Sequence, residues 1–318
     1  MKNYPFIQTL IVPLINASVD RDFIVADTDE YRISVVRVTD AQKERWDRHP
    51  RVKFSMEPAE WMLSRATTAI QLEARYGQRI LERSHVNEAL FALMSLLNVR
   101  LPYALWTPFA DWKQPGHKND ERTLLTLAEQ RAPTEIELYA MVTVPDFRVF
   151  RRYWRTITGS SAQSIRLRTS VARFTRARAS YFSEDAIVHS FIGMEALFAD
   201  HTTEAGKIVN KVTRRLTGFI LDPDASSSVQ DLVALSTRAG QLYKLRHDIL
   251  HGGLPEESKL GTGAKDAIEL LRTSVLIALE EGFVRLKDLA ALAEQYDRAL
   301  QAAQRQEKRR ARSAKPKP

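Results

Sequence analysis

In the first third of the chain, apolar residues gather in short runs rich in β-branched side chains. Phe6 to Val12 and Tyr31 to Val38 are such runs, and Glu135 to Val144 alternates until Pro145 stops it; each predicts a strand. Between them one segment follows the other period. Val86, Ala89, Leu90, Leu93, Met94 and Leu97 recur at helical spacing, Ser84 can cap the start, and Pro102 follows the end, which predicts a helix over 85–98. The stretch from Leu101 to Gly116 carries Pro102, Pro108 and Pro115 with Trp106 and Trp112 and is expected to be a loop. Its rings either anchor a long connection or line a pocket.

After about Ser164 the pattern is helical. A first long helix is expected from near Ser170 to Ala199, with Ile187, Phe191, Met194 and Phe198 in one stripe that Val188 and Ile192 widen. A second covers about Glu204 to Leu221 and turns Ile208, Val212, Leu216 and Phe219 inward, ahead of the turn-rich Asp222-Pro-Asp-Ala-Ser-Ser-Ser. The third starts near Val229 and is closed by Gly252-Gly253 and Pro255. The last, Ala264 to about Arg309, carries Ile268, Leu271, Val275, Leu279, Phe283, Leu286 and Leu289. Four long helices with short links predict an antiparallel bundle. The expected fold class is therefore an α+β domain over 1–145, followed by an all-α four-helix bundle over 165–304. An Arg-rich connection fills 146–164 and a basic tail 305–318.

Composition adds limits. With 318 residues, 44% apolar and 27% charged, the chain suits two globular domains. No stretch approaches the ~18 consecutive apolar residues of a membrane helix. Phe6 to Val12 lacks the flanks of a signal peptide, so a cytoplasmic protein without membrane contact is expected. The absence of Cys excludes disulfides, thiolate zinc sites and a Cys nucleophile. Gly261-Thr-Gly263 is followed by Ala264-Lys265-Asp266, without the Gly-Lys-Ser/Thr of a phosphate loop, and no internal repeat is visible.

Net charge is +8, but much of it lies at one end. From Arg305 to Pro318 seven basic residues stand against Glu307 alone. This tail is expected to be disordered past about Arg312, either solvated or binding phosphate nonspecifically. More telling is Phe147 to Ser183, which holds nine Arg and no Asp, Glu or Lys. Guanidinium groups fork onto phosphate oxygens, making Arg152, Arg155, Arg173, Arg176 and Arg178 candidate RNA contacts. The interleaved Phe150, Tyr153, Trp154, Phe174 and Tyr181 are either stacking faces or core rings.

The segment Leu242-Tyr-Lys-Leu-Arg-His-Asp-Ile-Leu-His251-Gly-Gly253 carries the candidate chemistry. Arg246 and His251, four residues between them and Gly after, fit the Arg, four to six residues, His pattern of HEPN domains. Tyr243-Lys-Leu-Arg246 followed by His251-Gly resembles the site block of the ApeA-like branch. Arg173-Phe174 and Ile192-Gly-Met-Glu195-Ala-Leu-Phe198 are similar to its first-helix signature, and Lys211-Val-Thr-Arg214-Arg215-Leu falls where its second helix lies. The resemblance covers about 165–300; His247 departs from the Ser or Asn common after the Arg, while remaining polar.

What the resemblance implies is a metal-independent endoribonuclease, a toxin or anti-phage defence effector, leaving a 2',3'-cyclic phosphate and a 5'-hydroxyl. Residue chemistry agrees. A His titrates near cellular pH and can accept the 2'-hydroxyl proton, the role expected of His251. A permanent guanidinium can stabilise the extra charge of the phosphorane by ~3 kcal/mol, the role expected of Arg246. Tyr243, Glu195 and His247 are expected in support, Glu195 either orienting Arg246 or pairing within the bundle. No cofactor and no metal are expected.

Positions five apart on a helix lie ~140° around its axis from each other. Either the helix ends before His251 or a second chain completes the site, and HEPN resemblance implies a homodimer. Two other readings stay open. His247 and His251, at i and i+4, could share a metal as in zinc hydrolases, although Asp248 replaces the usual Glu and no third ligand is evident downstream. The helical domain could also bind nucleic acid or protein without cleaving, and residues 1–145 could sense or regulate.

Overall fold

The computed structural model describes residues 6–14, 18–19, 21–28, 31–47, 66–75, 109–113, 122–126, 144–199, 208–221, 229–253, 255–281 and 288–313. The chain divides into two compact units, 1–158 and 159–318. An α+β unit thus precedes an all-α one.

The first unit is built on an antiparallel sheet. Its strands are β1 (Phe6–Leu14), β2 (Phe23–Asp27), β3 (Tyr31–Arg37), β4 (Thr68–Arg75), β5 (Phe109–Lys113) and β6 (Arg122–Thr126), in the order β2-β3-β4-β1-β5-β6. Helix α1 (Asp40–Asp47) follows β3, and helix α2 (Val144–Thr158) ends the unit. In register, β4 sets Ala69 opposite Val36 of β3 and Pro13 of β1. Ile11, Ala69 and Trp46 of α1 form a buried cluster against which Val36 and Val38 pack, so α1 covers that face. Side chains alternate along a strand, which puts Tyr31, Ile33 and Val35 on the other face. There Trp154 of α2 meets Tyr31 edge-on, with ring centroids 6.4 Å apart. Covering both faces explains why Ile11, Val12 and Leu14 are all buried and why β1 reads as an unbroken apolar run.

Two expected strands are present, β1 and β3. Strands β2, β4 and β6 have no counterpart among the expected elements, and β5 lies within a stretch expected to be loop. Phe109–Lys113 is held by pairing to β1, Thr9 to Lys113 and Ile11 to Asp111, a long-range contact that outweighs the local proline signal. The expected helix over 85–98 lies outside the described residues, as does the expected strand from Glu135 apart from Val144, which begins α2. The Arg-rich stretch 146–164 is no simple connection: as far as Thr158 it belongs to α2, which buries Tyr153, Trp154 and Ile157 and exposes Arg151, Arg152 and Arg155.

The second unit contains α3 (Ala162–Ala179), α4 (Ser183–Phe198), α5 (Ile208–Ile220), α6 (Val229–Leu250), α7 (Glu257–Glu281) and α8 (Leu289–Ser313). Among the described residues six helices thus stand where four are expected, because two long periodic segments are interrupted. The first breaks at Ser180, whose backbone is extended and whose hydroxyl donates to the Arg176 carbonyl at 2.8 Å, in competition with the helix's own bonding. At the other end of α3, Ser161 accepts from the Ser164 N–H at 3.0 Å. The second segment becomes α7 and α8, the latter starting where Asp288 Oδ1 accepts from the Ala291 N–H at 2.9 Å. Helix α8 runs to Ser313, so the basic segment from Arg305 is helical as far as it is described, and residues 314–318, where disorder is expected, lie outside the described residues.

Interior packing is close. A Cβ on Gly218 of α5 would run into the Leu292 carbonyl of α8, and one on Gly193 of α4 would come within 2.7 Å of Leu271 Cδ2 of α7. Specific polar ties join the helices. Ser170 Oγ of α3 donates to the Gly193 carbonyl of α4 at 2.9 Å. Buried Arg215 of α5 donates to the Phe198 carbonyl at the end of α4 at 2.7 Å, satisfying an otherwise orphaned acceptor. Ion pairs Arg214–Asp297 and Arg238–Asp266 link α5 to α8 and α6 to α7. Among the described residues, no helix is long and apolar enough to cross a membrane.

Candidate functional site

Helix α6 buries Leu232, Ala239, Leu242 and Tyr243, positions that return to one face every three or four residues. Arg246 continues this face one turn on from Leu242 and Tyr243. It meets α4, where Glu195 lies one turn beyond Phe191. Arg246 Nη1 is 3.3 Å from Glu195 Oε1, and Nη2 donates to Oε2 at 3.5 Å. The Tyr243 hydroxyl donates to Glu195 Oε1 and accepts from Arg246 Nη1 at 3.4 Å. Arg246 Cζ also stands 5.3 Å from the Tyr243 ring centroid, while that ring packs edge-on to Phe191 at 4.9 Å.

With side-chain exposures of 19% and 14% for Arg246 and Glu195, this cluster is largely withdrawn from water but still reachable. Burial, and then the hydrogen bond to Glu195, push the Tyr243 hydroxyl above its ordinary range, so it remains a donor. Arg246 Nε has no partner among the described residues.

Beyond Arg246 the surroundings change. The α6 hydrogen-bond pattern closes with Gly252 N–H donating to the Ile249 carbonyl at 3.2 Å and Gly253 N–H to the Asp248 carbonyl at 2.8 Å. Gly252 has φ of 78°, a left-handed turn that glycine adopts without a Cβ penalty. His251 therefore stands at the helix end, after Leu250, but ending the helix there does not aim it inward with Arg246. Its ring is exposed and packs against the exposed His247, centroids 4.2 Å apart and planes 52° to each other. Arg246 and His251 are thus not brought together within α6: one turns inward to Glu195, the other out beside His247. Among the described residues no group of three or more His, Asp or Glu gathers where a metal could be held.

The candidate RNA contacts divide between the units. Arg152 and Arg155 are exposed on α2, while Arg173, Arg176 and Arg178 lie on α3. Of the interleaved rings, Tyr153, Trp154 and Phe174 are core and Tyr181 is 86% exposed. Half-buried Arg173 lies with Nη1 3.2 Å from His189 Nδ1 of α4. Because a guanidinium only donates, Nδ1 is the acceptor and the ring is neutral in this contact. Burial, then Arg173 and Arg176, lower the His189 pKa, against the opposing charge of Asp185. His189 was not singled out in the sequence, since its partner lies on a different helix and no spacing rule links them.

No family model matches the chain, and no curated protein or solved structure matches it.

Proposed function

We propose that the helical unit is a HEPN-type endoribonuclease, acting without a metal on RNA as a toxin or anti-phage effector. The observation that carries this is the end of α6: a guanidinium braced by Glu195 and Tyr243, followed by an exposed imidazole at the helix end. In the reaction His251 takes the proton of a 2'-hydroxyl, whose oxygen attacks the adjacent phosphorus. The 5'-oxygen leaves and takes a proton from water, producing a 2',3'-cyclic phosphate and a 5'-hydroxyl, and His251 gives up its acquired proton to solvent. Arg246 stabilises the added negative charge at the phosphorane. Glu195 and Tyr243 fix its orientation, which lessens the reorganisation needed during reaction.

Because Arg246 turns inward while His251 turns out, the proposal includes a homodimer in which each chain supplies part of one cleft. The N-terminal unit then regulates the helical one. A second reading, a non-catalytic binding module, draws on Glu195, which already neutralises Arg246 and ties α4 to α6 as a structural ion pair would.

Incubating the purified chain with total RNA, with and without EDTA, separates these readings. Catalysis predicts cleavage that survives EDTA, leaves cyclic phosphate ends and falls by about 10²-fold or more in His251→Ala and Arg246→Ala. Cleavage lost only with EDTA would favour a His247/His251 metal site. Unchanged behaviour of both variants, with dimerisation intact, would leave the binding module. A monomer with full activity would refute the shared cleft.

A further inference from the structure

The N-terminal unit carries a feature separate from the Arg246–His251 segment. On α2, Arg151, Arg152 and Arg155 line, with Thr156, an open pocket of about 390 Å³. Arg151 and Arg155 are four apart and share a helix face, and Arg152 flanks them. Arg151 is already oriented: its Nε donates to the Ile24 carbonyl at 3.2 Å, Nη2 donates to the same oxygen, and its Cζ stands 5.1 Å from the Phe23 ring centroid. Arg152 lies with Cζ 5.5 Å from the Tyr153 ring centroid. The Thr156 hydroxyl donates to the Arg152 carbonyl at 3.1 Å and keeps acceptor capacity toward the pocket. No carboxylate lines the pocket among the described residues.

We infer that this pocket is a binding site for a phosphorylated small molecule of about nucleotide size. Three permanent cations around one concavity repel each other and are best relieved by an anion bearing several charges, and guanidinium groups pair with phosphate oxygens in a forked geometry. The charge is compact. Among the described side chains of this 15-residue helix it occupies two turns at the end, shorter than the stripe that tracks a nucleic-acid strand. The volume falls at the lower end of small-molecule sites, ~300–1,000 Å³. Because one of the three cations is preorganised by β2, binding needs less ordering of long side chains.

Calorimetric titration of the full chain with ATP, with inorganic tripolyphosphate and with a short 2'-O-methyl RNA, in EDTA, tests the assignment. ATP and tripolyphosphate should both bind, and more weakly as salt rises from ~50 to ~200 mM. Arg152→Ala/Arg155→Ala should lower the affinity for either by about tenfold or more. Arg152→Lys/Arg155→Lys, which keeps charge and loses the fork, should lower it less, and covers the case in which the alanine variant fails to fold. His251→Ala should bind as the unaltered chain does, which separates this site from the ribonuclease reading. No binding of either small ligand, equal binding by the alanine variant, or binding of the RNA alone would overturn the assignment.

Discussion

Tyr243 and Arg246 on one side, and His247 and His251 on the other, occupy neighbouring turns of the same helix but different solvents. The first pair is held by a carboxylate from α4 and a packed Phe191 ring; the second faces water at a glycine-closed end. Helix geometry makes the division: Leu242, Tyr243 and Arg246 turn toward the packed side, whereas His247 and His251 stand ~100° and ~140° around the axis from Arg246. Such an arrangement separates rigidity from access. A charge-stabilising group benefits from being fixed, whereas a proton acceptor has to meet its substrate.

Substitutions at the two ends should therefore behave differently, and the contrast can be broken by measurement. His251→Ala should reduce RNA cleavage by about 10²- to 10⁴-fold while leaving the unfolding free energy within ~0.5 kcal/mol of that of the unaltered chain. A large stability loss would mean that His251 is part of the packing. Arg246→Ala should cost about 10²- to 10³-fold in rate and also destabilise by ~1–3 kcal/mol, because Glu195 loses its counter-ion in a half-buried position. If only one of these two quantities moves, the fixed guanidinium has been misread.

Smaller effects sharpen the boundary. Gly252→Ala forces a Cβ into the left-handed turn and should cost ~1–2 kcal/mol, seen as a lowered melting temperature. Tyr243→Phe keeps the ring against Phe191 and removes one bond to Glu195. It should cost ~0.5–1.5 kcal/mol and change the cleavage rate by less than the Arg246 substitution does.

The smallest expected effect concerns pH. His189 has a folded-state pKa below its ordinary 6.5, so between those two values the unfolded chain binds a proton that the folded chain does not. Its contribution to stability is present above 6.5 and lost as pH falls toward the lowered value. Melting curves of the chain and of His189→Gln across pH 7.5 to 5.5 should converge as pH falls; parallel curves would contradict the shift.

Local signals recovered those parts of the fold that depend on local contacts. The strands at Phe6 and Tyr31, the α6 stop at Gly252-Gly253 and the apolar stripe of Ile187, Phe191, Met194 and Phe198 all follow from period and punctuation. Boundaries inside long periodic segments were less visible. Ser180 ends α3 through a hydrogen bond to Arg176, yet serine is common inside helices; Asp288 caps α8 in a stretch whose apolar period continues across it. Strand β5 was hidden by prolines on either side, because what stabilises it is pairing with β1, far away in sequence.

Three properties rest with the sequence itself: the succession of an α+β unit and a helical one, the absence of cysteine chemistry, and the spacing that sets Arg246 and His251 apart around the helix axis. Glu195 was a candidate from sequence, but its pairing with Arg246 and Tyr243 depends on α4 packing beside α6. The arginines divide in the same way. Their number is written in the chain, while the structure decides that Tyr153 and Trp154 are core and that Arg151, Arg152 and Arg155 surround one pocket. Periodicity states which face of a helix is apolar, but it carries no information about which distant carboxylate, ring or carbonyl that face will meet.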